Sequence, residues 1–286
     1  MTMIGGGRSG RNNSLDLESY MVVPVGAASF GEGAEKCMEV YQALKRLLTI
    51  SGYQTGVGDD GGFVPDLRNS EEALEYIMEA MMLCGYEPGK DMCLAIGAGA
   101  ESLFDEGTGF YQFKGESRMT GVPIERDRND MIGFYIRLLD GYPVCAVFDG
   151  LAEADAGGWG MLTKMLGNRA VFIGQHKNRE PGCLKPRERD WACLADWDGV
   201  EENAAGISMC GAKSVTAAME MADLAKRNGL KLAVSQGYGE TEDPYAADFA
   251  AAVNADWIRA GAPCRSERTS KYNELLRIEE WMKVRI

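Results

Sequence analysis

Residues 207–234 read ISMCGAKSVTAAMEMADLAKRNGLKLAV: a short apolar run from Ile207 to Met209, a helical stretch from Val215 to Arg227, and a second apolar run from Leu230 to Val234. Two apolar runs on either side of one helix are the repeating unit of a parallel sheet, because parallel neighbours need a connection long enough to cross over. The unit recurs outward. Cys93 to Ile96, Val144 to Phe148 and Val171 to Ile173 precede it, and Trp257 to Ala260 follows it. Runs this short, bounded by Gly or Asp, suit strands buried on both faces. Asp130 to Leu139, Trp159 to Leu166, Tyr245 to Val253 and Ser266 to Met282 read as the helices between them. Two more helices lie upstream. One spans 33–50, with Ala34, Cys37, Met38, Val40, Tyr41, Leu44, Leu47 and Leu48 at helical spacing and Gly52 as its stop. The other begins at Ser70, whose hydroxyl is the expected cap, and runs through Leu74, Ile77, Met78 and Met81 to Gly85.

Alternation over almost the whole chain, with no long Pro/Gly/Ser linker, predicts one α/β domain over residues 1–286. A closed barrel fits best, and an open doubly wound sheet is the alternative. Gly5-Gly6-Gly7-Arg8-Ser9-Gly10 is no dinucleotide fingerprint, since no full strand precedes it and no helix follows. Residues 180–204 break the rhythm and read as an irregular surface excursion.

Composition narrows the function classes. With 45% hydrophobic and 26% charged residues among 286, the chain is globular rather than disordered. A net charge of -13 repels phosphate backbones and anionic lipid heads, which argues against nucleic-acid and membrane partners. The apolar runs are too short to span a bilayer, and the opening residues lack a basic region followed by an apolar one. A cytoplasmic location is therefore expected. Eight cysteines, at 37, 84, 93, 145, 183, 193, 210 and 264, contain no C-x-x-C pair and read as reduced thiols. The one histidine, His176, leaves a single candidate imidazole, and a lone histidine without a carboxylate or metal partner reads as a surface or packing residue.

In an α/β barrel the chemistry sits at the C-terminal ends of the strands. Here those positions are Gly97, Phe148, Gln175, Ser208, Gln236 and Arg259, a set with neither a carboxylate nor a histidine. It lacks the hard anionic oxygens that a divalent cation requires.

Three longer blocks carry a family likeness: Gly58-Asp59-Asp60-Gly61-Gly62-Phe63-Val64-Pro65, Ser235 to Asp243, and Gly261-Ala262-Pro263-Cys264-Arg265-Ser266-Glu267-Arg268 continuing from Lys271 to Glu280. Weaker matches at 1–13, 21–27, 70–80 and 149–153 fill the gaps. Through these blocks the chain resembles the C-terminal barrel domain of the enolase (phosphopyruvate hydratase) family. The resemblance implies an eight-stranded α/β barrel, TIM-like, whose second strand runs antiparallel. It also implies that the family's preceding α+β capping domain is absent here. In the family, two Mg²⁺ ions stabilise an enolate-type intermediate, a lysine removes the proton, and a glutamate assists departure of the hydroxyl.

Carried over position by position, the resemblance places the lysine base on Ser208 and the three metal carboxylates on Gly97, Phe148 and Gln175. The family's strand glutamate falls on Ser19, with Glu18 one residue away and on the opposite face if the strand is regular. Its loop histidine falls on Ser9, the histidine before its Arg-Ser phosphate clamp on Gln236, and the clamp on Gly237-Tyr238. Asp60 stands in for a glutamate, and Arg259 for a lysine that touches substrate. Glu240, Glu242 and Asp243 read as capping rather than metal binding, because Asp243 precedes Pro244 and an apolar helix. Arg265, Glu267 and Arg268 are expected to tie the last strand to the last helix, and Leu276 to lie in the core. Arg277 resembles a residue that contacts the partner subunit in family dimers, an arrangement put in question by the missing domain.

Two functions follow. The first is a catalytically inactive pseudoenolase that binds a protein or small molecule, receives the missing domain from another chain, or fills a structural place, with no cofactor. The second is an active, Mg²⁺-dependent carbon–oxygen lyase that dehydrates 2-phosphoglycerate to phosphoenolpyruvate in glycolysis. A decaying duplicate gene is a third outcome.

Overall fold

The computed structural model describes residues 1–7, 13–174, 203–208, 212, 214–237 and 239–284. In chain order the elements are β1 (Thr2–Gly5), β2 (Ser19–Val23), α1 (Phe30–Ile50), α2 (Ser70–Leu83), β3 (Cys93–Gly97), β4 (Phe104–Asp105), β5 (Phe110–Gln112), α3 (Lys114–Thr120), β6 (Glu125–Arg126), α4 (Arg128–Gly141), β7 (Val144–Phe148), α5 (Ala156–Leu166), β8 (Val171–Gly174), β9 (Ala204–Ser208), α6 (Val215–Arg227), β10 (Lys231–Ser235), α7 (Tyr245–Ala252), β11 (Trp257–Arg259) and α8 (Ser266–Val284). Eight strands form one sheet in the order β1-β2-β3-β7-β8-β9-β10-β11. β2 is antiparallel to both neighbours, and every other pairing from β3 to β11 is parallel. The sheet curls back on itself. The Thr2 amide donates to the carbonyl of Gly261, just past β11, at 2.9 Å.

The two-residue period of the strands sorts their side chains between two layers. Met21, Ala95, Ala146, Phe148, Ile173, Ala204 and Ala233 pack together inside the curl. Tyr20, Val22, Leu94, Ile96, Val147 and Phe172 face the other way into the core shared with α1, α2 and α4. Ile207, Leu232 and Val234 pack outward with the alanines of α6 and α7. The many inner alanines leave little bulk inside, so the longest side chains at the rim decide what the mouth contains. The register aligns that rim: Ser19 pairs with Gly97, Gly97 with Phe148, and Ser235 with both Ser208 and Arg259.

Local details depart from the sequence reading in three places. The cap of α2 is Asn69, whose side chain accepts the Glu72 amide at 3.0 Å. Ser70 is the first helical residue, and its hydroxyl instead accepts from the buried Tyr20 at 2.9 Å. A separate three-stranded antiparallel sheet, β4-β5-β6, stands between β3 and α4, where no strands were expected. Leu276 is only half-buried, beside Gly31 of α1. The inward residues of α8 are Arg268, Lys271 and Tyr272. Most of the expected excursion at 180–204 lies outside the described residues, as do Ser9, Gln175, His176 and Tyr238.

Tyr272 donates to the Gly261 carbonyl at 2.5 Å, so that one carbonyl joins β1, the end of β11 and α8. Gly261 has φ +89°, and a Cβ there would press on the Asp60 carbonyl and the Arg268 stem. Only glycine suits that combination. Tyr272→Ala should therefore destabilise the fold by about 3–5 kcal/mol in denaturant melts, whereas Leu276→Ala should cost under about 2 kcal/mol because its side chain is partly solvated already.

Candidate functional site

The rim gathers Ser19, Gly97, Phe148, Ser208, Ser235 and Arg259 because each is the last inward-facing residue of its strand, or the first on the antiparallel β2. Arg259 dominates the space. Its Nη2 donates to Ser19 Oγ at 3.1 Å and lies 3.9 Å from Glu18 Oε2. Its Cζ sits 5.4 Å from the centroid of the buried Phe148 ring, where the electron-rich face attracts a cation. The Arg259 side chain is 16% exposed. Glu18 does not point away from this group, as a regular strand would require. It falls in a bend before β2 begins, so the alternation does not yet apply, and its stem lies over Gly99.

The absence of a side chain at 97 is what admits the guanidinium. A Cβ at Gly97 would overlap Ser19 Oγ and lie 2.9 Å from Arg259 Nη2, closer than real side chains approach. Any carboxylate at this position would have to displace both residues. Phe148 contributes a ring and no oxygen. Ser208, buried at the end of β9, presents a hydroxyl, which does not accept a proton near neutral pH unaided. The described part of the rim therefore presents a guanidinium, hydroxyls and an aromatic face, with the Glu18 carboxylate beside the guanidinium and Asp60 in the adjoining loop. Among the described residues no three His, Cys, Asp or Glu side chains converge to hold a metal ion. The guanidinium and hydroxyls suit polar or anionic groups, and a fixed cation with too few converging carboxylates does not fit a divalent metal ion.

A second layer of charge shapes the loops above the rim. Arg268 is 3% exposed, and its donors reach Asp59 Oδ2 at 3.1 Å, Gln236 Oε1 at 3.1 Å, the Gly237 carbonyl at 3.2 Å and the Asp59 carbonyl at 3.2 Å. It thus ties α8 to the loop after β10 and to the 58–62 loop, whereas Arg265 and Glu267 pair locally at 2.6 Å. The charged groups of this cluster thus reach loops rather than β11 itself, while the Arg268 stem passes close to Gly261, just past that strand. Glu240 accepts the Gly237 amide at 3.0 Å and approaches the buried Lys271 at 3.4 Å. Pro244 holds the N-cap position of α7, and Asp243, one residue ahead of it, accepts from the amide of the first helical residue, Tyr245, at 2.9 Å. Arg277 pairs with Glu274 along α8 at 2.6 Å.

Two polar atoms at the rim are buried without a hydrogen-bond partner: Ser235 Oγ and Asp60 Oδ2. Ser235 was no candidate from sequence, although its place one residue before Gln236, at the inward step of β10, was the available signal. Asp60 Oδ1 accepts the Gly62 amide at 3.0 Å. Burial pushes the Asp60 carboxyl above the ordinary carboxylate range, against the pull of that amide and of Arg259 and Arg268. The structure therefore brings together Ser19, Gly97, Phe148, Ser208 and Arg259, with Asp60, Gln236 and Gly237 in the adjoining loops. A family model described as enolase, C-terminal TIM barrel domain, matches residues 1–285.

Two outcomes follow from this geometry. Gly97→Ala should destabilise by about 1–3 kcal/mol through overpacking, and the penalty should shrink when Ser19→Ala removes the nearest atom, a coupling readable in a double-mutant cycle. A carboxyl whose folded pKa is raised gives stability that is present below its unfolded pKa and lost as pH rises through the folded value. Melts between pH 4 and pH 7 should thus show Asp60→Asn gaining on the native chain as pH rises.

Proposed function

The chain belongs to the enolase C-terminal TIM barrel family, and from that premise we propose that it is a member without dehydratase activity, a pseudoenolase whose barrel has a binding or structural role. The observation that supports this most directly is Arg259, lodged between Gly97, Ser19 and Phe148. By family resemblance, two of the metal carboxylates would project from 97 and 148. A divalent ion about 4 Å from the guanidinium would meet a repulsion of roughly 8 kcal/mol at an effective dielectric of 20, with no carboxylate from these two positions to offset it. The residues present do not suit Mg²⁺, so no cofactor is expected.

The proton-transfer role is equally unsupported. Ser208 has no amine, and Arg259 stays protonated at any ordinary pH and is a poor base. What the rim can do is hold a ligand through donors: the guanidinium, the Ser19 and Ser235 hydroxyls and the Gln236 amide. A protein partner or small molecule of the cytoplasm suits that set. Among the described residues no helix is long and apolar enough to cross a membrane.

The test is the family reaction itself. Purified protein with 2-phosphoglycerate and millimolar Mg²⁺ should form phosphoenolpyruvate no faster than buffer alone, and Ser208→Lys should not raise the rate, because catalytic groups that act as a unit are strongly non-additive. Turnover that scales with protein and co-elutes with it would overturn the reading in favour of an active phosphopyruvate hydratase.

A further inference from the structure

The opposite end of the barrel holds a pair of thiols that the mouth does not involve. β3 opens at Cys93, on the inward parity of Ala95 and Gly97. On the neighbouring β7, Leu94 pairs with Val144 but Ala95 pairs with Ala146, so Cys145 is an extra residue in the ladder. A bulge of this kind re-aims a side chain. Without it, Cys145 would alternate outward with Val147. With it, Cys145 packs against the inner layer of Met21, Ala95 and Ala146, and its Sγ contacts the Leu94 carbonyl at 3.3 Å. Cys93 and Cys145 thus stand on adjacent strands at the same end of the inner layer, and both are partly exposed. Hydrogen-bonded neighbouring strands run about 5 Å apart; Cys145, set between the partners of Leu94 and Ala95, is offset along the sheet from Cys93, so a bridge also requires the bulge to give.

We propose that Cys93 and Cys145 are a reversible oxidation site, closing to an intramolecular disulfide when a hydroperoxide reaches the barrel floor. The Cys93 thiolate attacks the peroxide, the O–O bond breaks, and sulfenic acid forms as an alcohol or water leaves with the proton. Cys145, as thiolate, then attacks that sulfur, the S–S bond forms, and hydroxide departs and is protonated to water. Two thiols lose two electrons, and one peroxide gains them. The influence of the two thiols on each other favours this order, because Cys145 holds the Cys93 thiol below the ordinary range, while Cys93 and burial push Cys145 above it. The cross-link would join the two strands that carry Gly97 and Phe148 to the mouth, and it does not depend on what the mouth binds.

The full chain, reduced and then exposed to equimolar hydrogen peroxide, is alkylated with N-ethylmaleimide, digested with trypsin and mapped by mass spectrometry. The expected result is a linked pair of peptides containing Cys93 and Cys145, with both thiols unlabelled, reversed by dithiothreitol and absent from Cys93→Ser and Cys145→Ser. The native chain alone decides the matter if either variant fails to fold. Maleimide on both thiols, sulfinic acid at Cys93, or a bridge from either residue to a different cysteine would overturn the proposal.

Discussion

The Arg259 guanidinium at the barrel mouth is the contact around which the other rim residues make sense. It needs room, an acceptor, a counter-charge and a surface for its flat face. Gly97 supplies the room, Ser19 Oγ the acceptor, Glu18 the counter-charge and the Phe148 ring the surface. Together these choices suit a planar monovalent cation, whereas one carboxylate beside a fixed guanidinium is a poor site for a hydrated divalent one. A charged side chain tethered to β11 also differs from a free ion in one respect. It contributes its charge without a binding equilibrium, so that charge is present whatever the metal concentration of the solvent.

The loops above the mouth hold their shape through groups that do not depend on a substrate. Burying Arg268 and Lys271 carries a desolvation cost that only well-placed partners offset. Arg268 meets Asp59, Gln236 and two backbone carbonyls, while Lys271 donates to the carbonyls of Thr241 and Glu267 beside Glu240. Removing one partner would leave a buried charge uncompensated, which explains how a long block of polar sequence at the start of α8 serves the fold. The Gly261 carbonyl, shared by Thr2 and Tyr272, extends the same logic to the seam where the first strand meets the last.

The α/β alternation was legible because its strands are short apolar runs separated by helices of ordinary length, a pattern that left an open doubly wound sheet as the alternative to the barrel. The antiparallel β2 came from family likeness alone, since pairing direction leaves no trace in a strand of five residues. The β4-β5-β6 sheet escaped because strands of two or three residues are shorter than any period. Leu276 was misplaced for a related reason: α8 buries an arginine and a lysine, so the apolar face of its sequence is not its inward face. At the mouth, the positions of Ser19, Gly97, Phe148, Ser208 and Arg259 could be read from strand ends. The reach of Arg259 across to Ser19 could not, because it depends on the empty volume at Gly97. Glu18 was assigned to the wrong side by extending the strand one residue too far.

The central claim is that a guanidinium stands where a divalent ion would have to sit, and crystallography with manganese addresses it directly. Crystals grown or soaked in millimolar Mn²⁺, with data collected at a wavelength where manganese scatters anomalously, should show no anomalous peak at the mouth and Arg259 still resting on Phe148. A manganese peak beside residues 97 and 148, with the guanidinium swung aside, would contradict the account.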